Sequence, residues 1–267
     1  MKPILRWAGG KRRMLKSILP HLPEATHYHE PFVGGGAVFF NLEPAKGSIN
    51  DTDERLIRFY RTLAWNTSSV INKLNTMPMD KESYLNYRLE CFDEDSDIDF
   101  AAKYIYFNKL CFGSLMRFNS SGKFNVPFGN PATKSVYKED ILWSAAELLQ
   151  KTLIFNVPFE EHCRLIMKLH PDLEGHLFYF DPPYVKTATT IEAYSNKFTD
   201  TDTQILRDMC LELFDHGASV IVSNNEIGLP HFERDFKCYS RDFQYSVNQK
   251  YTTDKKKTEC VLLKIQT

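Results

Sequence analysis

The chain has 267 residues, 43% of them hydrophobic, and a formal net charge of −1, enough material to bury the core of one large domain or of one domain carrying an insertion. No apolar run reaches the roughly 18–20 residues of a membrane span, and the opening MKPILRWAGGKRR lacks the apolar stretch of a secretory signal. The six cysteines (Cys91, Cys111, Cys163, Cys210, Cys238 and Cys260) are spread without a CxxC pair, which speaks against a disulfide framework or a zinc site and predicts a cytosolic chain with mostly buried thiols.

In chain order, Met14, Leu15, Ile18 and Leu19 predict a helix over 11–19. A strand over 27–32 follows, then the turn Gly34-Gly35-Gly36, a helix over 37–42, a strand over 48–50 ending at Asp51, and a helix over 54–65. Strand, glycine turn, helix, strand and acid make a βαβ unit. The alternation resumes at 153–157, 177–180 and 218–223, short apolar runs of the kind buried on both faces of a parallel sheet. A helix over 203–214 lies between two of them, the run Lys255-Lys256-Lys257 reads as a solvated turn, and 259–265 closes as a strand.

Residues 66–150 break this pattern. They read as helical around 84–91 and 100–110, after which Asn119, Ser120, Ser121 and Gly122 form a turn between two short strands within 114–129. The expected architecture is α/β, a Rossmann-like sheet with helices on both faces. Its catalytic domain comprises 1–65 and 151–267, and 66–150 is an inserted, mostly helical domain carrying a β-hairpin.

The near-zero charge hides segregation. Residues 1–20 hold six cations and no acid, and 100–138 hold six more and no acid, while 80–99 carry eight acids. Such runs are commonly solvated faces, but in 100–138 the cations are interleaved with nine aromatic residues. Cations and flat rings together suit phosphates and bases.

Two constellations carry chemistry. In Glu30-Pro31-Phe32-Val33-Gly34-Gly35-Gly36, glycines at a strand's carboxyl end let the backbone approach a ligand. Asp51, seventeen residues after Gly34, can accept hydrogen bonds from ribose hydroxyls. The spacing is not GxGxxG, so a nicotinamide or flavin enzyme is disfavoured, and a plain tight turn remains an alternative on this motif alone. The second constellation is Asp181-Pro182-Pro183-Tyr184, directly after the apolar run 177–180. Two prolines stiffen the backbone and remove donors, leaving a ledge that can only accept hydrogen bonds. The exocyclic amine of adenine is a poor nucleophile because its lone pair is delocalised. Holding its N–H groups on the Asp181 carboxylate and the Pro182 carbonyl localises that lone pair and stabilises the charge developing on nitrogen. Tyr184 offers a face for an extruded base to stack on. The eight histidines show no HExxH spacing, so no metal is expected.

These stretches resemble the Dam-type DNA adenine methyltransferases, which modify adenine N6, commonly within GATC. The likeness rests on Arg6-Trp7-Ala8-Gly9-Gly10-Lys11, the Glu30-to-Gly36 loop, Asn50-Asp51, and Arg117-Phe118 with Gly122-Lys123-Phe124-Asn125-Val126-Pro127-Phe128-Gly129. It continues through the DPPY tetrad, Phe198-Thr199, Ser223-Asn224 and Lys256-Lys257-Thr258-Glu259, nearly the whole chain in the family's order. The resemblance implies S-adenosyl-L-methionine as cofactor, held by Trp7, Lys11, Asp51 and Asp181 together with Glu30, Phe32 and Gly34 of the glycine motif. It implies that Arg117 and Leu115 read bases, that Arg6 contacts a guanine on the other flank, and that Lys123 and Asn125 serve DNA from the same hairpin. Where relatives often carry Asn or Tyr before the hairpin, this chain has Phe112-Gly113-Ser114, which leaves open the residue that fills the space of a flipped adenine.

The resulting expectation is a site-specific adenine methyltransferase acting on double-stranded DNA, as a monomer, in a prokaryotic or phage setting, with no metal and no membrane. An N-methyltransferase of RNA or of a protein amide would want the same acceptor ledge but not the basic-aromatic insert. A DNA-binding module without catalysis would not require Asp51, Asp181 and Tyr184 together.

Overall fold

The computed structural model describes residues 1–7, 11, 14–133, 135–183, 198–225, 229–244 and 256–266. In chain order these form α1 (Leu15–Ile18), β1 (His27–Glu30), α2 (Phe39–Leu42), β2 (Gly47–Asn50), α3 (Glu54–Asn75), α4 (Lys81–Leu89) and α5 (Asp97–Leu110). Then follow α6 (Glu139–Gln150), β3 (Leu153–Phe155), α7 (Phe159–Leu169), β4 (His176–Phe180), α8 (Asp200–Asp215), β5 (Ser219–Asn225), β6 (Lys237–Gln244) and β7 (Lys256–Lys264). The mixed α/β character is as expected. The sequence reading does not find α6, α7 or β6, and it places Lys256 and Lys257 in a turn although both stand in β7. No described helix is long and apolar enough to cross a membrane.

The chain divides into two units, one of Met1–Leu15 with Val33–Asn156 and one of Lys16–Phe32 with Val157–Thr267. In the first, β2 and β3 pair in parallel, Ser48 opposite Leu153. The long helix α3 begins where the Asp53 side chain accepts the Leu56 N–H at 3.2 Å, a cap that satisfies one of the orphan donors of the first turn. Helix α3 leaves helical geometry at Asn66 and runs on to Asn75. It packs on α5 and α6. Helix α5, capped by Ser96 on the Asp99 N–H, is buried on nearly every side from Phe100 to Leu110, as expected of a helix that is apolar all round.

In the second unit β1, β4 and β5 run parallel, and β7 joins β5 antiparallel before pairing with β6. Strand β4 is buried at all five positions, the signature of a strand covered on both faces. Helix α8 opens with a capping box between Thr199 and Asp202. A stack of rings lies on β1 and β4: His27 on His176 with centroids 4.3 Å apart, His176 on His29 at 5.1 Å, and His29 on Phe178 at 4.5 Å. His29 Nε2 and His176 Nδ1 are 2.9 Å apart, so one ring donates to the other. Burial lowers the pKa of His29 and takes that of His176 to about 4 and that of His162 on α7 to about 3.

Candidate active site

The first unit contributes the glycine loop and Asp51. Val33 N–H donates to the Asn50 carbonyl at 2.9 Å and Gly36 N–H to the Val33 carbonyl at 2.7 Å, closing the loop over the end of β2. Each Asp51 oxygen accepts one backbone N–H, from Gly34 at 2.9 Å and from Asp53 at 3.0 Å. The Asp51 carbonyl accepts Asn156 Nδ2 at 2.7 Å. Burial raises the Asp51 pKa to about 6 even though its two N–H partners favour the ionised form. The Tyr60 hydroxyl donates to the Gly34 carbonyl at 2.8 Å.

The glycines answer a neighbour inside the protein. A Cβ on Gly34 would stand 2.9 Å from the Trp7 indole nitrogen, and one on Gly35 would stand 2.7 Å from the Trp7 Cβ. Gly34 also holds φ +46, in the left-handed region that glycine tolerates best. Trp7 is therefore seated on the loop. Lys11 is buried, with 3% of its surface exposed.

The second unit carries the other expected ligands. Glu30 ends β1 and is buried, accepting the Tyr28 hydroxyl at 2.7 Å. Phe32 packs against Phe159 at 5.2 Å and meets Phe198 at 6.0 Å and Phe180 at 6.4 Å edge-on, forming an aromatic wall. Asp181 directly follows β4, within electrostatic range of Tyr28. Pro182 is buried and Pro183 exposed. Tyr184 lies outside the described residues.

The expected hairpin also belongs to the first unit. It forms isolated bridges, Cys111 with Phe128 and Phe118 with Phe124, where the sequence suggests two short strands. Its turn is built on Asn119, whose Oδ1 accepts from Ser121 N–H, the Ser121 hydroxyl and Lys123 N–H. The Tyr84 hydroxyl on α4 donates to the Val126 carbonyl at 2.9 Å, fixing the base of the hairpin. Arg117 is exposed and its Nε donates to Asn125 Oδ1 at 2.8 Å. Asn125 thus aims the Arg117 guanidinium. Leu115 is half-buried and Lys123 exposed. Before the hairpin, Gly113 and Ser114 take φ +66 and +54, a tight left-handed turn that leaves Phe112 55% exposed.

Two residues that hold these segments escape the sequence reading. Arg55, four residues after Asp51, forms a fork on Asp93 with contacts of 2.7 and 2.5 Å and touches the hairpin. Asn108, fully buried in α5, holds the backbone of Arg6. A lone amide in the apolar run 100–110 is the signal that marks the latter. Among the described residues no group of His, Cys, Asp and Glu is arranged to hold a metal.

Residues 7–254 match the family described as D12 class N6 adenine-specific DNA methyltransferase. A type II methyltransferase of Lactococcus lactis subsp. cremoris is 31% identical over 275 residues, covering 98% of this chain and 95% of that protein. A type II methyltransferase of Methanocaldococcus jannaschii is 32% identical over 250 residues, 84% of each chain. A DNA adenine methylase of Vibrio cholerae is 32% identical over 233 residues, covering 84% of this chain and 82% of its own.

Proposed function

The chain belongs to the D12 class N6 adenine-specific DNA methyltransferases, and from that premise we propose that it methylates adenine N6 within GATC in duplex DNA, after flipping the base, with S-adenosyl-L-methionine as donor. The observation that carries the reading is Asp181-Pro182-Pro183 at the end of a strand buried at every position. Such a ledge presents only acceptors, and the reacting amine presents only donors.

The residues present fit this donor. A half-buried carboxylate such as Asp51 matches a ribose diol, and the Phe32 wall matches an adenine ring. Trp7, Lys11, Glu30, Phe32, Gly34, Asp51 and Asp181 would hold it. When bound, the donor supplies an electrophilic methyl group on a sulfonium. The protein's own part is orientation. Asp181 and the Pro182 carbonyl accept the two N–H groups of the target amine, which frees its lone pair for in-line attack and disperses the charge that develops there. Pro183 keeps the ledge rigid, and Tyr184 stacks on the extruded base.

In the insert of 66–150, Arg117 reads a guanine through O6 and N7, the commonest specific contact of the major groove. Asn125 orients it, Leu115 contacts the neighbouring base, and Lys123 meets phosphate. Arg6 serves the other flank. Phe112, an exposed aromatic on a stiff turn, is the residue this chain offers to the gap left by the flipped adenine. We place the enzyme in the cytoplasm, on DNA, acting as a monomer.

The test is transfer of labelled methyl groups from S-adenosylmethionine to duplexes carrying GATC, a one-base variant, or no adenine. Labelling of the GATC duplex alone supports the whole reading. Labelling of both adenine-containing duplexes keeps the chemistry and removes the GATC assignment, and no labelling sinks the reading.

A further inference from the structure

The amino-terminal strap is tied to the end of α5 by two consecutive side chains. Asn108 Oδ1 accepts the Arg6 N–H at 2.8 Å, and its Nδ2 donates to the Arg6 carbonyl at 2.8 Å. Lys109 Nζ donates to the Ile4 carbonyl. The Asn108 amide therefore replaces the peptide group of a neighbouring strand, satisfying both backbone groups of one residue at a site with 0% exposure.

What that amide holds on either side gives it a role beyond packing. The Arg6 side chain stays exposed, while the next residue, Trp7, is seated on Gly34 and Gly35 of the glycine loop. Three residues after Asn108 the chain reaches Cys111, whose bridge to Phe128 closes the base of the hairpin. One buried side chain thus fixes a DNA contact, the aromatic on the cofactor loop, and the helix from which the base-reading hairpin springs. Only an amide of this length does so. A carboxylate cannot donate to the Arg6 carbonyl, and an aliphatic residue would leave two buried backbone groups unsatisfied.

We propose that Asn108 is a positioning residue that couples cofactor binding to DNA reading, so that each ligand tightens the other through the strap of residues 4–7. The proposal rests on the assignment of Trp7 to the cofactor and of Arg6 and the hairpin to DNA.

The test measures the dissociation constant of S-adenosylhomocysteine by calorimetry with and without a GATC duplex, for the unmodified protein, Asn108→Ser and Lys109→Met. The unmodified protein is expected to bind the cofactor product at least about fivefold more tightly when the duplex is present. In Asn108→Ser that ratio should fall to within about twofold of unity, and Lys109→Met, which spares the buried amide, should give an intermediate ratio. A reduced ratio in Lys109→Met carries the test should Asn108→Ser not fold. A ratio near unity in the unmodified protein, or an undiminished ratio in folded variants, overturns the proposal. Failure of the unmodified protein to bind either probe instead overturns the assignments beneath it.

Discussion

The guanidinium of Arg55 lies 4.4 Å over the ring of Phe118 while gripping Asp93 through two hydrogen bonds. Phe118 packs on Phe92 and Phe124, and a Cβ on Gly122 at the hairpin turn would stand 2.6 Å from Asp93 Oδ2. Arg55 and Asp93 together brace the hairpin from the start of α3, four residues beyond Asp51. The pair is part-exposed, so its own contribution to stability is below about 1 kcal/mol. Arg55→Ala should therefore leave the melting temperature nearly unchanged yet reduce discrimination between GATC and one-base variants. Arg55→Lys should not restore it, since an ammonium cannot form the fork. Initial rates on the two duplexes check this. Arg117→Ala, which removes the base contact itself, should relax discrimination by about 1–3 kcal/mol. An equal loss of affinity for every duplex would make Arg117 a phosphate contact.

Gly35→Ala isolates the seat of Trp7. The added Cβ would meet the Trp7 Cβ at 2.7 Å, well inside van der Waals contact, so the indole must leave the loop. Affinity for S-adenosylhomocysteine should fall at least tenfold, about 1.4 kcal/mol, with DNA affinity largely kept. Calorimetry of both ligands gives the answer, and unchanged cofactor affinity would remove Trp7 from the site.

Cofactor affinity should depend on pH through Asp51. Its pKa of about 6 lies above the 3.8 of a free carboxyl, so between those two values the folded protein holds a proton here that the unfolded chain has released. Stability from this group is full at acid pH and is lost as pH rises through 6. Accepting ribose hydroxyls favours the ionised form, so cofactor affinity runs the other way and weakens below pH 6. Binding constants between pH 5 and 8 should show that inflection, and Asp51→Asn should flatten the profile along with weakening affinity.

Asp181→Ala should abolish methyl transfer while leaving DNA binding largely intact, because the acceptor ledge serves the amine and not the duplex backbone. Parallel methylation and gel-shift assays separate the two. Equal loss of both would assign Asp181 to DNA binding.

The histidine stack predicts acid lability. His29, His162 and His176 have pKa values depressed below that of a free imidazole, so below pH 6.5 the unfolded chain takes up protons that the folded one refuses. Stability is independent of these groups above that pH. It falls as pH drops from 6.5 towards 4, by about 1.4 kcal/mol per pH unit for each histidine fully engaged. Urea denaturation between pH 5 and 8 measures the slope, and His176→Phe should make it shallower.

What was legible in the sequence had a strong local cause. Strands at β1, β2 and β4 and helices α3, α5 and α8 follow from apolar runs and the acid after the glycine turn. Helix α7 begins at Phe159 directly after Pro158 with no side-chain cap, and α6 likewise lacks one. Strand β6, with Arg241 and Asp242 in its ladder, carries no apolar alternation of its own and is held by β7. Its pairing partner, twelve or more residues away in sequence, is what makes it a strand. At the site, the glycine motif was legible as a loop, but the reason for its glycines was not. Trp7 reaches them from a segment more than twenty residues earlier, and no periodicity announces that contact. Arg55 and Asn108 were hidden for the same reason, since each acts across long sequence separation on the backbone or ring of another element.

The order of strands in the second unit also has a consequence for biosynthesis. Strand β7 lies between β5 and β6, so β6 has its neighbour only once Lys256 and the residues after it have left the ribosome. The last residue of the first unit is Asn156. On a translating ribosome the glycine loop, Asp51 and the hairpin can therefore assemble well before the sheet that carries Asp181 is complete, and that sheet's parallel half waits with an open edge at β5 for the strand that seals it.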